Sequence, residues 1–203
     1  MSDHDYEEIV SPNVYFDRNF NIEAVKILPG EYYVTGRDMV LVTVLGSCVA
    51  ACIRDKHTGI GGMNHFMLPD SKSDTGSPVG LAGRYGTYAM ELMINQLIKS
   101  GARRNNLEAK VFGGGNVMRG FTVANVGERN ARFVLDYLKV EKIAVAAQDL
   151  LDNYPRKVYY FPNTGRVLVK QLRTMHNETI IERERQYVAR IRSSEVQGEV
   201  ELF

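Results

Sequence analysis

EYYVTGRDMVLVTVLGSCVAACIRDKHTGIGGMNHFMLP, residues 31–69, is rich in β-branched and aromatic residues and is broken at short intervals by turn formers. EYYV and MVLVTVL, joined by Thr35-Gly36-Arg37-Asp38, read as a hairpin. The second run ends at Gly46-Ser47-Cys48, and VAACIR follows. Asp55-Lys56-His57-Thr58-Gly59 reads as a turn, after which IGGMNHFML is extended until Pro69 stops it.

Outward from this stretch, residues 1–26 mix acids with scattered aromatics and show no clean period, so they read as an extension. Residues 70–82 (DSKSDTGSPVGLA) have loop composition. Residues 83–99 change to a helical stripe through Tyr85, Tyr88, Ala89, Leu92, Ile94, Leu97 and Ile98, with Gly101 as the stop. Leu107–Phe112 is a short strand running into Gly113-Gly114-Gly115-Asn116. Residues 127–139 form a second helix with Ala131, Val134, Leu135 and Leu138 inward, and Ile143–Ala147 a strand. Lys157–Phe161 and Arg166–Leu172 flank PNTG, a hairpin whose Gly165 takes the positive-φ position. Residues 178–192 are a charged amphipathic helix. Neighbouring hairpins with two helices interposed predict an α+β fold with mixed, largely antiparallel sheets.

The chain has 203 residues, 44% apolar and 24% charged, enough to bury roughly 70% of its unfolded surface in one domain with extensions. Lys+Arg 25 against Asp+Glu 24 gives a net charge of +1, so no global field favours nucleic acid. No run approaches 18 apolar residues and the first ten are acidic and polar, which predicts neither membrane insertion nor a secretory signal. Two cysteines cannot staple a secreted fold, so a reducing cytoplasm is the expected compartment.

If the turn centres on Lys56 and His57, Cys48 pairs with His65, with Cβ atoms ~5 Å apart on one face. A longer loop would shift the partner by a residue or two. Gly46 and Ser47 would leave backbone N–H groups free to face a reacting oxygen. The pattern fits a thiolate nucleophile activated by His65. It fits equally a small buried cysteine and a hydrogen-bonded sheet histidine. Cys52 shares the face of Cys48 but is ~13 Å along the strand, too far for a disulfide. Cys48, Cys52, His57 and His65 are metal-ligand types, but C-x3-C with H-x7-H departs from the usual zinc spacing. His4 and His176 read as surface residues. The triple glycine lacks the Gly-Lys-Ser/Thr of a phosphate loop. It fits a tight turn or a backbone approached closely by a substrate.

Val44-Leu45-Gly46-Ser47-Cys48-Val49-Ala50-Ala51-Cys52-Ile53-Arg54-Asp55, with Asn64-His65-Phe66-Met67-Leu68-Pro69, closely resembles the CheD family of chemoreceptor glutamine deamidases. The likeness continues through Arg84-Tyr85-Gly86, Glu108 to Gly114, Gly127-Glu128-Arg129-Asn130 and Thr164-Gly165-Arg166-Val167, over about residues 27–172. Asp149-Leu150-Leu151 departs from it, because many members have two glycines there. The resemblance implies a deamidase domain at 27–172, an N-terminal extension at 1–26, and a C-terminal helix and tail at 173–203. It implies an α/β/β/α sandwich similar to the cytotoxic necrotizing factor-type deamidases. It also implies hydrolysis of receptor glutamine side chains to glutamate with no cofactor or metal. Cys48 is then the nucleophile, His65 the base and Thr43, aligned across a one-residue gap, the third site residue. Gly46, Ser47 and Gly114 are candidate oxyanion or substrate contacts. Chemoreceptor helices are the implied substrate and a CheC-type phosphatase the implied partner. An adaptor that mainly binds that phosphatase and a thiol hydrolase of receptor methyl esters are the alternatives.

Overall fold

The computed structural model describes residues 13–69, 81–117, 126–172 and 177–194. Residues 70–80 of the expected loop, His4 and His176 lie outside these. Among the described residues, ten strands form two five-stranded sheets. The first has the order β1 (Val14–Asp17), β2 (Ile22–Lys26), β4 (Val40–Leu45), β9 (Arg156–Phe161), β10 (Arg166–Gln171). The second has the order β3 (Tyr32–Thr35), β6 (Gly61–Asn64), β5 (Val49–Asp55), β7 (Leu107–Gly113), β8 (Ala144–Leu150). The helices are α1 (Leu81–Lys99), α2 (Val126–Val140) and α3 (Asn177–Ser194).

The expected hairpin of EYYV with MVLVTVL does not form. β3 pairs with β6, whereas β4 runs parallel to β2 and antiparallel to β9 in the other sheet. The reason lies in β4: Val40, Leu41, Val42 and Thr43 are all buried, so the strand needs neighbours on both edges and cover on both faces. The half-buried β3 belongs at a sheet edge. The expected extension is also partly folded into the sandwich. Residues 14–26 form the β1–β2 hairpin, whose turn is capped by the Asp17 carboxylate on the N–H groups of Asn19 and Phe20. The PNTG hairpin forms as expected, with Arg166 opposite Phe161 and Gly165 at φ +72°.

Period-two alternation divides the apolar residues into two main cores. Leu41, Leu45, Val158 and Tyr160 of the first sheet meet Ala50, Cys52, Met63 and Phe112 of the second. The opposite face of the second sheet packs Val49, Ala51 and Ile53 against Met90, Met93 and Leu97 of α1 and Val134 and Leu138 of α2. The outer face of the first sheet gathers Ala24, Val40 and Val42 with Ile22, Tyr159 and Phe161, and no described helical residue joins them. α3 instead sends Tyr187 and Ile191 into the core between the sheets.

α1 ends in a Schellman motif: the Ala102 N–H donates to Leu97 O, the Gly101 N–H to Ile98 O, and Gly101 has φ +105°. α2 ends the same way with Lys142 at φ +57°. At the end of Asp149-Leu150-Leu151, where the resemblance leads one to expect two glycines, Leu151 has φ +68°, and Asp152 next to it has φ +70°. Leu151 is 43% exposed, so its side chain contributes little packing to offset a left-handed backbone. Leu151→Gly should therefore raise stability by about 1 kcal/mol, read as the shift in a urea unfolding midpoint.

Candidate active site

The turn at 55–59 sets the register of the candidate nucleophile and base. The Asp55 carboxylate accepts from the N–H groups of His57 (2.8 Å), Thr58 (3.2 Å) and Arg103 (2.8 Å). Burial alone would raise its pKa, but these donors outweigh burial and hold it at about 2. The Asp55 N–H donates to Ile60 O, so the connection is longer than a two-residue turn. Cys52 therefore faces Met63, and Val49 forms a bridge with Phe66. The pairing is shifted by two residues from the expected one. Cys48 and His65 are diagonal neighbours flanking the Val49–Phe66 bridge, on the face turned to the inter-sheet core.

Thr43 arrives from the other sheet. It lies between Leu41 and Leu45 on the inner face of β4, which puts its hydroxyl across the gap from His65. Thr43 Oγ1 is 2.7 Å from Ile27 O and 2.8 Å from His65 Nδ1. A carbonyl can only accept, so the single hydroxyl proton goes to Ile27, and Thr43 Oγ1 must accept from the imidazole. Nδ1 therefore carries the ring proton. Nε2 keeps its lone pair, and it is buried with no hydrogen-bond partner among the described residues. Burial holds the His65 pKa down at about 4, against a smaller opposing effect of the Ile27 carbonyl. The imidazole is thus neutral at pH 7 and oriented as a base.

The Gly46-Ser47-Cys48 link, which crosses from β4 to β5, has every backbone group accounted for. Its three carbonyls are held by the fold. Gly46 O accepts from the Gly115 N–H, Cys48 O from the Gly114 N–H and Ser47 O from Asn130 Nδ2, each at 2.8 Å. Its three N–H groups face the other way and converge on one carboxylate, that of Glu184 in α3. Gly46 N and Cys48 N lie 3.1 Å from Oε1 and Ser47 N 3.2 Å from Oε2, with the Ser47 hydroxyl also donating to Oε2. Successive N–H groups aimed at one point make an anion-binding concavity. Burial, and then the Glu184 charge beside it, push the Cys48 thiol well above its usual pKa.

The family model described as CheD chemotactic sensory transduction matches residues 67–171. A protein of Thiobacillus denitrificans named probable chemoreceptor glutamine deamidase is 64% identical over 197 residues, 97% of this chain and 98% of its own. The chain belongs to the CheD family. A relative of the same name from Methylobacillus flagellatus is 64% identical over 198 residues, with 97% and 98% of the two chains covered. Another, from Shewanella oneidensis, is 59% identical over 192 residues, covering 95% and 93%.

In this CheD-family chain the candidate residues Thr43 and His65 are in direct contact, and Gly46, Ser47 and Cys48 form one concavity. Gly114 is the exception. Its N–H is committed to the Cys48 carbonyl, so it anchors the Cys48 loop and offers no donor to the concavity. The triple glycine is backbone that other backbone approaches: the cysteine loop at Gly113 and Gly115, and Gly127 of α2 at Gly114. The ligand set Cys48, Cys52, His57 and His65 is not assembled, because His57 sits in the exposed turn at the far end of β5. Cys52 is buried, and burial raises its thiol pKa.

Two residues of the site escaped the sequence reading, Glu184 and Asn130. Asn130 Oδ1 accepts from the Leu68 N–H (2.9 Å) while its Nδ2 holds Ser47 O, tying the segment after His65 to the loop before Cys48. Both are polar residues on an otherwise apolar helical stripe. Asn130 precedes Val134 by four residues, and Glu184 follows Ile180 by four. A polar residue on a buried stripe was the available signal.

The low pKa of His65 predicts a stability profile. In the unfolded chain the ring binds a proton below about 6.5, and in the fold only below about 4. Its contribution is fully present above pH 6.5 and is lost as pH falls toward 4, a change of about 3 kcal/mol. Asp55 adds its own loss only below about 3.8. Urea unfolding between pH 7 and 4.5 should show this loss in the wild type, with His65→Gln showing a much flatter dependence.

Proposed function

We propose that the chain hydrolyses glutamine side chains of chemoreceptors to glutamate and releases ammonia. The observation that carries this reading is a concavity of three N–H groups holding a γ-carboxyl group against Cys48, beside a neutral imidazole fixed by Thr43. The relatives named as chemoreceptor glutamine deamidases, similar along almost the whole chain, support it.

A primary amide needs a strong nucleophile, donors for the oxyanion and a proton for the departing nitrogen. His65 Nε2 takes the Cys48 proton, and Sγ attacks the glutamine Cδ. The oxyanion takes the N–H groups of the Gly46–Cys48 concavity, each worth roughly 3 kcal/mol in the transition state. His65 returns the proton to the leaving ammonia and then activates water to hydrolyse the thioester. Thr43 keeps the proton on Nδ1 throughout, so Nε2 alone serves the reaction. Protein groups and water suffice for each step. We also infer that the two-sheet arrangement is similar to the cytotoxic necrotizing factor-type deamidase fold, and that the reaction takes place in the cytoplasm. Among the described residues no helix is long and apolar enough to cross a membrane. Docking onto a CheC-type phosphatase, which the resemblance implies, is checked by co-elution of the two purified proteins.

The discriminating assay sets a receptor cytoplasmic fragment beside free glutamine and a peptide carrying a glutamate methyl ester. Ammonia release from the fragment alone supports a protein-specific deamidase. Preferential hydrolysis of the ester would overturn it.

A further inference from the structure

Glu184 lies in the middle of the buried stripe of α3, three residues before Tyr187 and seven before Ile191, and is 2% exposed. A γ-carboxylate seated on the N–H groups beside Cys48 is what deamidation of a glutamine leaves behind, and here a helix presents it. We propose that α3 is a tethered occupant of the active site, with Glu184 seated where a glutamate produced from a helical glutamine sits before it leaves. That the seat holds a reaction product rests on the deamidase reading above. The occlusion of Cys48 by α3 does not.

The concavity does not depend on α3 for its shape. The carbonyls of Gly46, Ser47 and Cys48 are fixed by Gly115, Asn130 and Gly114, so the N–H groups keep their direction whether α3 is seated or displaced. The fit around the carboxyl is close. A Cβ added at Gly46 would come 2.8 Å from Glu184 Oε1, so glycine there leaves room for a γ-carboxyl group and little more. α3 also borders the imidazole, since Ile180 and Glu184 line one cleft together with Ile27, Leu28, Val44 and His65.

α3 is held by a short buried stripe, with Val188 half-buried beside it. Among the α3 side chains that are described, only Glu184, Tyr187 and Ile191 are buried. Tyr187 lies against Gly30 and shares a hydroxyl hydrogen bond with Tyr85 of α1. A substrate helix and α3 then compete for one seat. Whatever engages α3 elsewhere raises the fraction of chains with an open site.

The seat can be made to report on itself. In the intact chain carrying Glu184→Gln, Cys48 Sγ would attack Cδ of the introduced glutamine, forming a C–S bond as the C–N bond breaks and ammonia leaves with a proton from His65. Water would then cleave the thioester, restoring the thiol and leaving glutamate. The peptide containing position 184 should show conversion of the amide to the acid, and the double variant Cys48→Ala/Glu184→Gln should keep the amide. An introduced amide left intact by a preparation that converts receptor glutamines would overturn the proposed seat. As a second readout, iodoacetamide should alkylate Cys48 about ten-fold faster in Glu184→Ala than in wild type. An unchanged rate in a variant with wild-type circular dichroism would overturn the occlusion. If no variant converts either receptor glutamines or the introduced glutamine while Glu184→Ala is alkylated faster, the reaction assignment fails and the occlusion stands.

Discussion

His65→Ala should lower conversion of receptor glutamine by roughly 10³-fold, because in the proposed mechanism the ring moves a proton in both halves of the reaction. The accompanying stability change distinguishes catalysis from packing. The substitution leaves a cavity and removes one partner of Thr43, but the Thr43 hydroxyl still donates to Ile27 O. It also removes a buried group that resists protonation, so the stability difference from wild type should shrink between pH 7 and 4.5. Thr43→Ala should be milder, about ten-fold in rate, since Thr43 acts through the tautomer it enforces. A His65→Ala protein that keeps near-wild-type turnover would assign the base elsewhere. Loss of activity strictly in proportion to loss of folded protein would make His65 structural.

Gly113→Ala should have the largest effect on the fold, about 3–4 kcal/mol or failure to fold. Gly113 has φ +108°, and a Cβ there would lie 2.2 Å from Cys48 O and 3.1 Å from Val49 Cα. Neither is the end of a flexible side chain. Val49 is the ladder partner of Gly113, so relief requires moving the start of β5 and the Cys48 loop with it. Any residual folded protein should be impaired in catalysis as well, because the same shift redirects the N–H groups of residues 46–48. A stability within about 1 kcal/mol of wild type would mean that β7 does not hold the Cys48 loop in the way described.

The elements with strong local patterns were legible. The extents of α1 and α3, the inward stripe of α2, the PNTG turn with Gly165 and the glycine stop at 101 appear where the residues place them, because each is decided within a few positions. The stripe of α1 is rotated from the expected one: Met90, Met93, Ile94 and Leu97 are buried, whereas Tyr88 and Ile98 are exposed. The sheet assignment was not legible in the same way. TGRD looks like a hairpin turn, but whether its flanking strands pair or part depends on the burial of β4 on both faces, and that is a property of the assembled sandwich. The Cys48–His65 register slipped by two for a related reason. The turn is widened by an aspartate whose four donors come partly from Arg103 and Asn106, distant in sequence. Gly61 and Gly62 serve strand packing, as a Cβ on Gly62 would meet Tyr33 O at 2.7 Å. Thr43, carried by resemblance across a gap, proved to touch His65 because the inner face of β4 points at the other sheet. Glu184 stands 136 residues from Cys48, and no local pattern joins the two.

Incubation of a receptor cytoplasmic fragment with wild type and with Cys48→Ala, followed by peptide mass mapping, bears most directly on the site. Specific glutamines should become glutamates with the wild type and remain amides with Cys48→Ala, whose fold should be preserved because the side chain lost is small. Equal conversion by both proteins, or conversion by neither on any co-resident receptor, would contradict a Cys48-centred glutamine deamidase.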